Sequence, residues 1–254
     1  MGLLDGKRGL VVGIANEHSI ASGCAQAFVR EGAELAVTYG HEKARKFVEP
    51  VAEALDAKLF MPLDVTSDAE MDALFEAITA KWGKLDFLLH SVAFCPQDDL
   101  QGPVVDCSRE GFGVAMDISV HSFIRLAHRA RPLMKDGGCL LTVSYYGAEK
   151  VVDQYNVMGP VKAALESTVK YMAAELGAEG IRVNALSPGP LMTRAASGIA
   201  HFDKLIDEAR SRAPQRRLVT IEDVGNMAAH LVSTNARNVT GNISYVDAGY
   251  HVMS

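Results

Sequence analysis

Seven short apolar runs recur along the chain, and segments of helical length separate most of them. This alternation limits the possible folds more than any other feature of the sequence. The runs are RGLVVGI (8–14), ELAVTY (34–39), KLFMPLDV (58–65), LDFLLH (85–90), CLLTVS (139–144), IRVNALS (181–187) and ISYVDAG (243–249). They are nearly continuous rather than alternating, which suits strands covered on both faces of a parallel sheet. Amphipathic segments lie between them at 20–32, 42–56, 67–82, 108–134 and 157–177. In the last, Met158, Val161, Leu165, Val169, Met172 and Leu176 recur at spacings of three and four, one apolar helix face. Strand–helix–strand repeated in this way predicts right-handed crossovers and an α/β, doubly wound parallel sheet of seven strands. No linker, repeat or low-complexity segment breaks the pattern, so a single domain over 1–254 is expected. The one long break, PGPLMTRAASGIAHFD (188–203), separates the sixth strand from a short helix. A loop that long in a compact domain is usually functional, and 188–217 is the expected substrate-binding region.

Bulk properties narrow the function. With 48% hydrophobic residues among 254, the chain has enough apolar mass for a large core. A net charge of −6 argues against nucleic acid as the main partner. Cys24, Cys95, Cys107 and Cys139 show neither C-x-x-C spacing nor a cluster with histidines, so reduced thiols and no metal are expected. The start, MGLLDGKR, has no apolar signal region, and no run is long enough to span a bilayer. A soluble cytoplasmic protein is the reading.

Certain residues stand where chemistry is done in such a fold. After the first strand, GIANEHSIASG puts Gly13 and Gly23 around Ser19 at a helix start. Free backbone N–H groups and the positive end of a helix dipole suit a pyrophosphate there, although the spacing is not G-x-G-x-x-G. At the end of the second strand stand Tyr39, Gly40 and His41, neither an NAD-type acid nor an NADP-type Arg, so the residues leave the choice of nucleotide open. Asp64 either accepts a hydrogen bond from adenine or caps the turn before Thr66. Tyr155 and Lys162 lie seven apart. Helix between them would place both groups on nearly one face, roughly 10 Å apart along the axis. The cation would then lower the phenol's pKa and make it a proton donor. Pro160 fits only in a first helical turn. His90 reads as a hydrogen-bonded core histidine, and His121 and His128 as an exposed helix face.

Taken together, these residues resemble the short-chain dehydrogenase/reductase superfamily, with its Rossmann-type sheet. They resemble most closely its bacterial NADH-dependent enoyl-[acyl-carrier-protein] reductase branch, of type II fatty-acid biosynthesis. The motifs are GKRGLVVGIANEHSIASG, REGAELAVTY, LDV (63–65), LLHSVAF (88–94), REGFGVAMDIS (109–119), LTVSYYGAEK, YNVMG, KAALE, EGIRVNALSPGP, TRAASGI, TIEDVGN and VDAGY. Tyr155-x6-Lys162, in place of the superfamily's usual Y-x-x-x-K, marks this branch. The alternatives are a short-chain carbonyl reductase or alcohol dehydrogenase, or a weakly active cofactor-binding paralogue.

The resemblance implies roles residue by residue. Tyr155 would stabilise the enolate formed after hydride reaches the β-carbon of a trans-2-enoyl thioester, and Lys162 would hold the nicotinamide ribose. Tyr145 is the second catalytic tyrosine, near the acyl chain, while Tyr146 packs and Ser144 is structural. Gly13, Ser19 and Ile20 would lie against the pyrophosphate, Gly40 near the adenosine ribose, Asp64 and Val65 at adenine, and Val92 along the adenosine side. Leu191, Met192, Thr193, Arg194 and Ala195 would close over the nicotinamide and pyrophosphate, hinging on the small residues 195–198. Cys95 would contact substrate as a small apolar wall. The cofactor implied is NAD, as NADH, and the assembly a homotetramer. Gly40, Ala93, Met192 and Pro160 depart from the branch's usual residues, and none removes a catalytic group. Segment 194–217 carries six cations (Arg194, Lys204, Arg210, Arg212, Arg216, Arg217) against Asp203, Asp207 and Glu208. It is the expected dock for an acidic acyl carrier protein.

Overall fold

The computed structural model describes residues 2–191 and 202–253. Seven parallel strands form one sheet: β1 (Arg8–Val12), β2 (Glu34–Tyr39), β3 (Leu59–Pro62), β4 (Phe87–His90), β5 (Gly138–Val143), β6 (Ile181–Pro188) and β7 (Ile243–Val246). Their order is β3-β2-β1-β4-β5-β6-β7, so chain direction across the sheet reverses between β1 and β4. The helices are α1 (Ile20–Arg30), α2 (Glu42–Ala54), α3 (Asp68–Trp82), α4 (Gln97–Gln101), α5 (Arg109–Met116), α6 (Ser122–Ala130), α7 (Met158–Leu176), α8 (Phe202–Arg212) and α9 (Ile221–Val232).

The continuous apolar strands are explained by two core layers, one on each face of the sheet. Leu10, Leu88, Leu140 and Val183 point to one face and pack with α3, α6 and α7 through residues such as Leu74, Phe123 and Leu165. The alternate residues Val11, Leu35, Leu89 and Leu141 meet Phe28 of α1, Val48 of α2 and Val224 of α9 on the other. Side-chain hydroxyls start the helices: Ser19, Ser67 and Ser108 cap α1, α3 and α5, and Thr220 with Asp223 forms a reciprocal capping box on α9. Each such cap contributes about 1 kcal/mol.

Several boundaries differ from expectation. β1 ends at Val12 rather than 14 because Gly13 turns the chain at φ +109°. The helix expected over 108–134 is α5 and α6 joined by a π-helical turn at Asp117–His121, ending in a 3₁₀ turn at Arg131–Leu133. Helix α9 lies outside the segments read as helical, and Gly225 sits in its interior, where glycine weakens helix propensity. Its position explains both glycines: a Cβ on Gly225 would come 2.4 Å from the Gly23 carbonyl oxygen, and one on Gly23 2.4 Å from that of Ile221. Gly23 therefore serves the close crossing of α1 and α9 rather than the phosphate turn. No helix among the described residues is long and apolar enough to cross a membrane.

Candidate active site

In open α/β sheets, ligands bind outside the carboxyl ends of the strands where strand order reverses. Here that crevice opens between the ends of β1 and β4. Gly13 leaves β1 in the left-handed region, and a Cβ there would lie 2.1 Å from the Ser91 carbonyl oxygen. Ser19 then caps α1: its Oγ donates to the Asn16 carbonyl at 2.8 Å and accepts from Ser22 N–H at 3.3 Å. The N–H groups of Ile20 and Ala21, in the first turn, have no carbonyl of their own helix to bond, and they lie at the positive end of its dipole. Beside this turn, His18, Pro190, Leu191, Leu218, Val219 and Ile221 line a cavity of about 250 Å³.

The adenosine-side residues are arranged more loosely. Gly40 is exposed, with open space where a side chain would stand. Asp64 Oδ1 accepts from Thr66 N–H at 2.8 Å and Thr66 Oγ1 at 2.7 Å, the turn-capping geometry. Val65 is buried, with its carbonyl bonded by the Arg125 guanidinium, and Val92 is half-buried. Cys95 is buried, and burial pushes its thiol up to about 11, so it presents a neutral, apolar sulfur.

Tyr155 does not stand on a helix. Gln154 and Asn156 on either side of it take left-handed φ angles of 65° and 46°, and α7 begins only at Met158. Asn156 Nδ2 donates to the Leu100 carbonyl at 2.8 Å and so pins this turn to α4. The chain runs from Tyr155 to Lys162 through a tight turn and then the first turn of α7, with Pro160 inside that first turn, as expected of a helix over 157–177. Both side chains are buried, at 9% and 5% exposure. The Tyr155 ring meets that of Tyr145 edge-on at 4.8 Å between centroids. A Cβ on Gly147 would fall 2.4 Å from the same ring, so only glycine fits behind it. Tyr146 packs elsewhere, edge-on against Tyr245 and Tyr250.

The electrostatics correct the expected acidified phenol. Burial, followed by the neighbouring Tyr145 and Glu166, drives the Tyr155 pKa upward. At neutral pH it is a phenol with a proton to donate, not a phenolate. Lys162 donates from Nζ to the Val143 carbonyl at 2.7 Å, and burial brings its pKa down to about 8. Burial and then Lys162 depress His90 to about 3. Its ring bonds Thr142 and Ser122 inside the core, as expected of a structural histidine. His121 and His128 are exposed.

The fold thus gathers Gly13, Ser19 and Ile20 at one end of the crevice, and Tyr145, Tyr155 and Lys162 around the ends of β5 and α7. Met192, Thr193, Arg194 and Ala195, and the hinge at 195–198, lie outside the described residues. Two contributors escaped sequence reading. Ser91 crowds Gly13 through its backbone, which no side-chain pattern signals. Glu166 stands four residues beyond Lys162 on α7, and that spacing was a usable signal.

Comparison with known proteins places the chain in a family. A family model described as "Enoyl-(Acyl carrier protein) reductase" matches residues 13–251. The enoyl-[acyl-carrier-protein] reductase [NADH] 1 of Rhizobium meliloti is 50% identical over 99% of this chain and 93% of its own. Among solved structures, the Anaplasma phagocytophilum reductase in complex with NAD is 47% identical, covers 100% of this chain and 97% of that one, and superposes with a TM-score of 0.96. The Bacillus cereus reductase with NADP+ and an indole naphthyridinone is 45% identical over 100% of both chains, with a TM-score of 0.97. With a match that runs from Gly13 past the last strand, and relatives at this level of identity, the chain belongs to the enoyl-(acyl carrier protein) reductase family.

Proposed function

We propose that this protein is an NADH-dependent oxidoreductase that reduces the carbon–carbon double bond of trans-2-enoyl-[acyl-carrier-protein] in fatty-acid elongation. One observation carries the reading: a buried Tyr155 against Tyr145 and a buried Lys162 on the Val143 carbonyl both stand by the end of β5, at the carboxyl end of a dinucleotide-type sheet, in a chain of this family. The residues present fit a nicotinamide dinucleotide. The first turn of α1 offers N–H groups to a pyrophosphate, Gly13 lets the chain leave β1 hard against the Ser91 carbonyl, and Gly40 leaves space for the adenosine ribose.

When bound, NADH supplies the hydride. Gly13, Ser19, Ile20 and Leu191, with residues 192–195, would hold the pyrophosphate and nicotinamide, and Asp64, Val65 and Val92 would hold the adenosine. Lys162 would offer its ammonium to the ribose hydroxyls. Tyr155 donates its phenolic hydrogen bond to the thioester carbonyl as negative charge grows on that oxygen, a preorganised donor in a dry site. Because Tyr155 stays protonated, it stabilises the enolate without first losing its own proton. Tyr145 fixes the Tyr155 ring by its edge-on contact and faces the acyl chain. Cys95 adds an apolar wall. The assay is loss of reduced nicotinamide absorbance with a trans-2-enoyl thioester, with NADH and NADPH offered separately. Turnover with NADH is expected; measurable NADH binding without turnover would overturn the reading.

The partner is the acyl carrier protein, docked on the basic segment that includes α8. Within it, Arg210 pairs with Asp207 at 3.7 Å and Arg217 with Asp223 at 3.6 Å, both solvent-exposed contacts of small individual worth. Replacing Arg210 and Arg212 together with Glu is expected to raise KM for the carrier-protein substrate and leave KM for a coenzyme A thioester nearly unchanged. Equal effects on both substrates would refute docking there. A cytoplasmic homotetramer completes the reading, supported by large apolar side chains exposed on neighbouring helices: Phe112 on α5, Ile124 on α6 and Tyr171 on α7.

A further inference from the structure

We infer that Glu166 is a positioning residue for Lys162, tying α7 to the end of β5 and holding a carboxylate one turn behind the lysine ammonium. The inference deepens the reading above, in which Lys162 binds the nicotinamide ribose.

The geometry is a double clamp on two consecutive residues. Lys162 Nζ donates to the carbonyl of Val143, the last residue of β5, at 2.7 Å. Ser144, the next residue, donates from Oγ to Glu166 Oε1 at 2.6 Å. Lys162 and Glu166 are four apart on α7, so they share one face of the helix and both reach the same strand end. Ser144 is buried at 3% exposure and Lys162 at 5%. A carboxylate partly withdrawn from water beside a serine hydroxyl is costly unless its charge is used.

The charge acts on Lys162. Burial draws the Lys162 pKa down to about 8, and the Glu166 carboxylate opposes that shift. Burial also raises the pKa of Glu166, while the Ser144 bond, Lys170 and Lys162 lower it and Glu149 raises it. The other groups facing this carboxylate are Tyr155, at the N-terminal approach to α7, and Tyr245 of β7, which is itself bonded to Glu149. Lys162 must be protonated to present a cation to ribose hydroxyls. With the carboxylate in place it remains so up to about pH 8; without it, protons leave Lys162 at lower pH.

Two substitutions separate the charge from the tie. Glu166→Gln keeps an oxygen that accepts from Ser144 and removes the charge. Ser144→Ala removes the bond and leaves the charge. NADH binding, followed by nucleotide fluorescence from about pH 6 to 9, reads both without turnover. In the wild type, affinity falls as pH rises through about 8. In Glu166→Gln that fall moves to lower pH, leaving binding roughly tenfold weaker at the pH of the wild-type midpoint and nearly unchanged at about pH 6. Ser144→Ala weakens binding at every pH without moving the fall. A Glu166→Gln profile that overlays the wild type overturns the electrostatic role and leaves the proposed function intact. Wild-type affinity of Ser144→Ala at every pH overturns the tie. Absence of NADH binding by the wild type at any pH overturns both this inference and the function on which it rests.

Discussion

Changing Tyr155 to Phe is expected to reduce turnover of a trans-2-enoyl thioester roughly a hundred- to a thousandfold, the usual cost of losing one preorganised donor to a developing oxyanion. The substitution deletes a single oxygen and keeps the ring, so the edge-on contact with Tyr145 and the close fit against Gly147 survive. NADH affinity should stay near that of the wild type, because the ribose contact is assigned to Lys162. The measurement is steady-state loss of NADH absorbance at saturating substrate, alongside cofactor binding. Burial raises the phenol's pKa, so wild-type activity should show no alkaline limb from Tyr155. Any alkaline limb should instead follow Lys162 near its pKa of about 8. Retention of activity within a few-fold in Tyr155→Phe would remove this residue from the chemistry.

Phe87→Ala should be among the most damaging changes to the scaffold that leave the site's own residues in place. Phe87 opens β4, the middle strand of the seven, and is fully buried. Its ring meets Phe28 of α1 edge-on at 4.8 Å and fills the place where a Cβ on Gly9 of β1 would be 2.1 Å away. Glycine at position 9 thus leaves a recess that only a large ring occupies. Truncation opens a cavity that strands and helix together cannot close. A loss of about 3–5 kcal/mol is expected. In a chain of this size that lowers Tm by roughly 10 °C. Thermal or urea unfolding followed by circular dichroism reads the effect, and a change below about 1 kcal/mol would mean the recess collapses around the alanine.

Much of this protein was legible before any coordinates. Continuous apolar runs such as Leu88–Leu89 and Leu140–Leu141 read as doubly covered strands because hydrophobic burial is a local demand, written at period two on both faces. Helices α1 and α3 begin where the segments 20–32 and 67–82 begin, at Ser19 and Ser67, because a cap bonds backbone only three residues away. The Tyr155–Lys162 pair was visible as spacing and, with its neighbours, as a family resemblance.

Other features depended on contacts between residues distant in sequence. Gly225 argues against a helix when read alone, yet α9 forms because Gly23 of α1 lets the two backbones meet, and their packing outweighs propensity. The geometry around Tyr155 is set by left-handed residues held by Asn156 on the Leu100 carbonyl, a bond between segments fifty-six residues apart. Its raised pKa could not be read from the spacing of Tyr155 and Lys162. Spacing predicts attraction between charges, whereas desolvation is a property of everything packed around the phenol. The same holds for Glu166, an ordinary helix-surface acid by sequence that the end of β5 turns into a partner of Ser144. The sequence by itself determined the succession of the seven strands, most of the helices between them and the residue types available for chemistry, because these follow from local pattern. Only the tertiary structure decided which groups lose their water, and that loss sets their charge.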